Sequence, residues 1–422
     1  MIVAGGGLAG LAAAAALGSI GFEVHVHEAR PFLGGRAASY PVSPSDDNSE
    51  RIDNCQHVLL RCCTNLLDFY RRCGVADRIR FFDELYFVRP GGAVDVLKRG
   101  LLPAPLHLFG SMVRFGALNW GEKISLVRTL LAVRRERNRS GLDRITMADW
   151  LASKGQSRAA IDHFWRPILV SALNEEPERA SALPAFQVFW QGMLQSSNGF
   201  EMGVPAVPLA ELYSAALEAR LGTDVRVHLR SMIDRIDPRD GGADFYISAV
   251  PFERIESLLP GLGLRLGRFE HSPITGIHVW FDRPITKLPH AVLLDRTIQW
   301  MFRKSETYIQ AVVSASRGLI PMSKSEIVAL VHRELGDYFP EARTARMERA
   351  HVVKEVRATY SAVPGLEADR PRAETRYPNV FLAGDWTASG WPATMEGAVR
   401  SGYLAAEAIA RATGRAERFL LP

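Results

Sequence analysis

Three features predict an α/β protein in which a parallel, doubly wound sheet shares the chain with an interleaved mixed α+β domain. The chain opens on a short apolar strand, Ile2-Val3-Ala4, followed by a glycine turn, an alanine-rich helix and a second strand at Glu23-Val24-His25-Val26-His27-Glu28. Near the other end an apolar strand, Val380 to Ala383, stops at Gly384-Asp385. Between them Val225-Arg226-Val227-His228 and Phe245 to Val250 read as further strands, separated by the turn signal Asp240-Gly241-Gly242. Strand, helix, strand in that order is the βαβ pattern of a parallel sheet.

Composition narrows the class. The 422 residues are 47% hydrophobic and 23% charged, ordinary globular proportions that exclude disorder, collagen and coiled coil and leave room for two or three domains. A net charge of +5 over this length is too weak an excess to point to nucleic acid. The four cysteines, Cys55, Cys62, Cys63 and Cys73, match no zinc or redox spacing, so no metal is expected and a reducing cytoplasm fits. Residues 2–22 are nearly all apolar, yet glycines interrupt them, no basic stretch precedes them and a strand follows at once. They read as the start of a fold, not a signal anchor.

The first turn carries the chemistry. Gly5, Gly7 and Gly10 fill G-x-G-x-x-G: a tight turn, room for a pyrophosphate and close helix–strand packing. Leu8 and Ala9 complete this Rossmann-like loop at the helix N-terminus, where free N–H groups favour phosphate. Glu28, ending the second strand, is placed to accept hydrogen bonds from a ribose diol. The following Gly34-Gly35-Arg36 argues for FAD over NAD: many flavoproteins run backbone beside the FAD pyrophosphate there, with Arg36 meeting phosphate or flavin. At the far end Asp385 is expected on a ribityl hydroxyl. A helix beginning near Thr394-Met395 is expected to aim its N–H groups at the flavin pyrimidine, where negative charge grows on reduction. Gly397 and Gly402 inside that helix imply close approach to a neighbour.

Together these stretches resemble the GR2-type FAD-dependent amine oxidase and phytoene desaturase superfamily. Within it the chain is most similar to the squalene-associated FAD-dependent desaturases, also called hydroxysqualene dehydroxylases. The likeness covers almost the whole chain and rests on Asp53-Asn54-Cys55-Gln56-His57, Phe164-Trp165-Arg166-Pro167 with Ala172-Leu173-Asn174, and the run Pro392 to Gly402. Three positions depart from it: Cys55 and Arg61 stand where glycine is usual, and Trp391 replaces a smaller apolar residue. The very short first strand also suggests that a few residues precede Met1 in the natural protein.

The resemblance implies a discontinuous FAD-binding domain over 1–75, 205–255 and 370–422, and a mixed α+β substrate domain over 76–204 and 256–369. It implies reduction of hydroxysqualene to squalene for hopanoid biosynthesis, with FAD and a long-chain isoprenoid as cofactor and substrate. The alternatives are a phytoene-type desaturase and a non-catalytic flavin- or lipid-binding protein. Asp53 and His57 are the catalytic candidates; otherwise His57 bonds a backbone carbonyl and Asp53 caps the helix from about Thr64.

In the middle of the chain, Ser171 to Asn174 and Phe186 to Trp190 are expected to wall the substrate domain, the aromatic spacing favouring core packing over a tunnel, and His278 to be structural. Residues 98–139 carry nine basic side chains against Glu122 and Glu136, a net +7, interleaved with Leu101, Phe109 and Trp120. They read equally as a membrane-contact segment on anionic lipid or as a core helix with a solvated basic face. Peripheral attachment at the inner face of the cytoplasmic membrane follows from the first reading.

Overall fold

In the computed structural model, which describes residues 1–42, 50–213, 221–239 and 241–422, five short strands lie parallel. Their order is Val225–Leu229, Val24–Glu28, Ile2–Ala4, Tyr246–Ser248 and Val380–Leu382. Asp240, expected in a turn, lies outside the described residues. The chain moves outward from Ile2–Ala4 to one edge and then returns to fill the other side. The order therefore reverses between Ile2–Ala4 and Tyr246–Ser248, and ligands of such sheets sit beyond the strand ends at that reversal. Gly5 and Ala249 flank it.

The helix Leu8–Gly18 is apolar all round because it is buried all round: every residue from Leu8 to Leu17 is inaccessible or nearly so. It packs on Met395–Ala412, and the contact is backbone to backbone. A Cβ added to Gly402 would stand 2.2 Å from the Ala9 carbonyl oxygen and 2.9 Å from the Ala13 nitrogen. Even a methyl group is therefore too large at Gly402, where the Ala9 and Ala13 backbone fills the space. The N-terminal apolar run is accounted for as core, and no helix among the described residues is long and apolar enough to cross a membrane.

The second layer is a seven-stranded sheet, ordered Met347–Tyr360, His271–Phe281, Tyr308–Ser314, Trp300–Arg303, His290–Leu293, Glu84–Val88 and Val94–Lys98. Its pairs are antiparallel except His290–Leu293 with Glu84–Val88. One face buries Ile309 and Val279 against Ile327, Val331 and Leu335 of the helix Lys324–Tyr338. The other packs Phe87, Val292 and Phe302 against the helices between 106 and 194. There Trp165 meets Phe189 edge-on at 4.6 Å and Trp150 meets Phe186 the same way at 4.6 Å. Phe186 and Phe189 are core, the reading their aromatic spacing favoured, fixed by the aromatic interlock.

His278 is structural as expected: buried on His271–Phe281, it meets the Tyr308 hydroxyl at 2.6 Å, and burial pushes its pKa down to about 3. Another expectation is corrected. Asp53 does not cap the helix Thr64–Arg72; that helix receives Glu396, whose carboxylate accepts from Asn65 N at 3.3 Å and Leu66 N at 2.7 Å. Asp53 instead accepts from Ser39 Oγ at 2.6 Å and Leu209 N at 3.0 Å.

The seam between the first and last helices makes a direct test. Gly402→Val is expected to destabilise the fold by roughly 3 kcal/mol or more, since rigid backbone must move. Gly110→Ala, whose Cβ meets nothing within 4 Å, is expected to leave stability unchanged. Urea unfolding of both variants reads the difference.

Candidate active site

A single cavity of about 700 Å³ begins at the reversal in the parallel sheet and continues between the two layers. Its first wall is the glycine turn. The helix Leu8–Gly18 has no side-chain cap and no acidic residue in its first turn, so its leading N–H groups and partial positive charge remain for an anion. Gly10 is required for packing, since its Cβ would sit 2.0 Å from the Gly5 carbonyl oxygen. Gly7 is different. Its backbone angles, φ −77° and ψ 176°, suit any residue, and a Cβ there would meet no protein atom nearer than Gly35 Cα at 3.9 Å. Neither conformation nor protein packing demands glycine, so the space beside Gly7 fits a bound group.

Glu28 stands at the rim of this cradle, its Oε2 accepting from Gly6 N and its Oε1 from Arg30 N, each at 2.8 Å. Two backbone donors hold the carboxylate, and its remaining lone pairs suit a diol. Gly35 and Arg36 line the same wall. One Arg36 guanidinium nitrogen lies 2.6 Å from Asp385 Oδ1 and another donates to the Ala358 carbonyl at 2.9 Å. Burial opposes the Arg36 charge, but Asp385 outweighs it and pushes the guanidinium pKa up. The first and last motifs of the chain thus meet through one ion pair. Gly384 follows the strand Val380–Leu382, and its N–H donates to Ser401 Oγ at 2.8 Å. Thr394 caps the helix Met395–Ala412 by accepting from Gly397 N at 3.0 Å, and Thr394 and Met395 both line the cavity.

Beyond the cradle the cavity becomes apolar. Leu85, Ile168, Phe200, Met202, Trp300 and Phe302 line it. Of the expected wall residues, Ser171, Ala172, Asn174, Gln187 and Val188 reach it, whereas Leu173 is buried in the core. Sequence reasoning missed Trp300 and Phe302, whose rings stack at 5.6 Å. Their i, i+2 spacing on one strand face was the available signal.

The two catalytic candidates separate. His57 lines the cavity and Asp53 lies behind it, buried and bound by Ser39 and Leu209. His57 Nδ1 is 3.0 Å from the Cys55 carbonyl, and because a carbonyl only accepts, Nδ1 carries the proton and Nε2 is the acceptor of the neutral ring. Burial lowers the His57 pKa below 6.5, with Asp53 opposing. Cys55 also lines the cavity without a left-handed backbone, and burial pushes its thiol up, so it is an uncharged wall. Arg61 bonds Glu201 at 2.5 Å and stacks on Phe81, outside the cavity, whereas Trp391 forms part of its wall. No cluster of metal-ligating side chains occurs among the described residues.

Comparison with known proteins places the chain in a family. The family model described as flavin containing amine oxidoreductase matches residues 8–410. The 15-cis-phytoene desaturase of Solanum lycopersicum is 26% identical over 97% of this chain and 77% of its own length. The 15-cis-phytoene desaturase of Synechococcus elongatus is 27% identical over 96% and 95%. Among solved structures, putrescine oxidase bound to putrescine superposes with a TM-score of 0.70 at 17% identity, covering 97% of this chain and 98% of that one. Cyclohexylamine oxidase from Brevibacterium oxydans gives 0.67 at 18%, covering 98% and 99%. The two structures share the fold, and the cofactor of the family is FAD.

Gly7→Val isolates the cradle. The variant is expected to fold, because nothing in the protein opposes the added side chain, and to lose its FAD. Loss of flavin absorbance per protein beside an unchanged far-ultraviolet dichroism spectrum is the expected result; stoichiometric FAD would refute the assignment.

Proposed function

The chain belongs to the flavin containing amine oxidoreductase family, and from that premise we propose that it removes the hydroxyl of hydroxysqualene reductively, giving squalene. The observation that carries this reading is the continuity of the cavity: a polar cradle at one end opens directly onto uncharged walls such as Ile168, Met202 and Phe302. A hydrocarbon chain suits those walls, to which the second layer adds one carboxylate among the described residues, Glu355. The motif Asp53 to His57 and the run Pro392 to Gly402 support the finer substrate assignment.

When bound, FAD supplies the hydride that replaces the departing hydroxyl, its two electrons having come from an external reductant. The residues provide the rest. Carbon–oxygen heterolysis in an allylic alcohol leaves a delocalised cation, and apolar walls that exclude water protect it from recapture. The hydroxyl leaves as water once it receives a proton, and His57 is the titratable group positioned for this. A second reading, desaturation of a phytoene-type chain, draws on the neutral His57 ring, whose Nε2 accepts a proton more readily than it gives one.

Anaerobic incubation of the flavin-loaded, chemically reduced protein with hydroxysqualene is expected to give squalene with flavin reoxidation. Conversion of 15-cis-phytoene by the oxidised protein instead would favour the second reading, and no turnover of either would sink both. The pH profile separates the roles of His57. Its pKa lies below 6.5, so the protonated ring grows only as pH falls beneath that value. Squalene formation is expected to climb there and stay low above it; desaturation would show the opposite slope. His57→Gln is expected to flatten either profile and cost about a hundredfold in kcat while retaining FAD.

A further inference from the structure

Twelve large hydrophobic side chains are exposed among the described residues, and eight of them fall between 101 and 131: Leu101, Leu102, Leu106, Phe109, Trp120, Ile124, Val127 and Leu131. We propose that this face docks on the surface of an anionic lipid bilayer. The proposal concerns where the protein works and stands whichever isoprenoid it acts on.

The helix Trp120–Glu136 shows how the face is built. A capping box, Asn119 with Glu122, starts it firmly. Its inner side buries Leu126, Thr129 and Val133. An ordinary surface helix would then turn polar residues outward. Here Trp120, Ile124, Val127 and Leu131 recur at intervals of four, three and four and form a second apolar stripe that faces outward. Leu101, Leu102, Leu106 and Phe109 extend the apolar area along the preceding loop and the start of the helix Phe109–Arg114. So the segment combines features of the two alternatives its sequence offered: it contributes one apolar stripe to the core and presents another to the outside.

Charge identifies the occupant. Lys98, Arg99 and Arg139 pair with Glu84, Glu201 and Glu136. Arg114, Arg128, Arg134 and Arg135 are exposed and form no ion pair among the described residues. Apolar side chains rimmed by unpaired arginines match the interface of an anionic membrane, where tails receive the former and headgroups the latter. A second copy docking through the same face would set this basic rim against itself. Position adds a third argument. Leu85 of the cavity wall pairs with Leu97, and the His107 ring lies 5.8 Å from that of Phe200, another cavity wall. Residues that wall the apolar end of the cavity therefore pack against buried side chains adjoining the exposed face.

Co-sedimentation of the full-length, flavin-loaded protein with vesicles tests this. Binding to phosphatidylglycerol–phosphatidylcholine vesicles is expected, weakening with salt, with little binding to phosphatidylcholine alone. Arg128→Gln with Arg135→Gln is expected to weaken it by about fivefold per charge removed. Trp120→Ser with Ile124→Ser and Leu131→Ser should weaken it roughly tenfold or more. Val356→Ser, at an exposed apolar side chain elsewhere, serves as control and is expected to bind normally. Unchanged flavin content and dichroism show that each variant is folded. Undiminished vesicle binding by the folded apolar variant would overturn the proposal, as would equal binding to neutral vesicles. Sedimentation velocity supplies the remaining outcome: a dimer that the apolar substitutions dissociate would assign the face to a second copy instead.

Discussion

The architecture depends on a steric constraint, the approach of two helices closer than even a methyl side chain at Gly402 allows. The helix Leu8–Gly18 and the helix Met395–Ala412 come from opposite ends of the chain and meet where Gly402 lies against Ala9 and Ala13. That contact seats both helices on the same parallel sheet. It also sets their N-termini beside one cavity, which Leu8 and Met395 both line. The Arg36–Asp385 ion pair extends the same joint at the level of charge, tying the segment after the second strand to the segment after the fifth.

Polarity is then distributed along the cavity rather than around it. Carboxylates, an arginine and open N–H groups gather at the sheet end, where a dinucleotide brings phosphates and hydroxyls that satisfy them. The walls supplied by the second layer hold mainly aliphatic and aromatic side chains and uncharged polar groups, with the Glu355 carboxylate the exception among the described residues. Water is disfavoured in that half, and the buried ionisable groups near its boundary respond accordingly: Cys55 keeps its proton and His57 resists gaining one. The molecule thus separates a charged binding problem from a dry chemical one within one continuous space.

The nucleotide cradle was legible because its physics is local. A glycine at position 7, an acid at 28 and a glycine-arginine step at 35 and 36 each answer a requirement met within a few residues. The strands from 225 and 380 were legible as apolar runs. What escaped was decided at long range. Nothing local signals that Glu396 caps the helix Thr64–Arg72, or that Asp53 serves Leu209 instead of that helix, because the partners are far apart in sequence. The aromatic spacing of Phe186 and Phe189 favoured core over tunnel, but their edge-on partners Trp150 and Trp165 lie on other segments that no local pattern names. The segment 98–139 failed differently: its apolar residues serve two opposite faces, so a one-faced periodicity describes neither.

The central strand of the parallel sheet is formed by the first residues of the chain, while its edge strand, Val380–Leu382, comes almost last. Between them lies nearly the whole second layer, which must be synthesised while the sheet is still open on one side. Contacts of such sequence separation are slow to close and depend on the entire chain having emerged. A ribosome that stops early leaves a product lacking Asp385 and the Met395–Ala412 helix, with Arg36 unpaired and the alanine-rich helix uncovered.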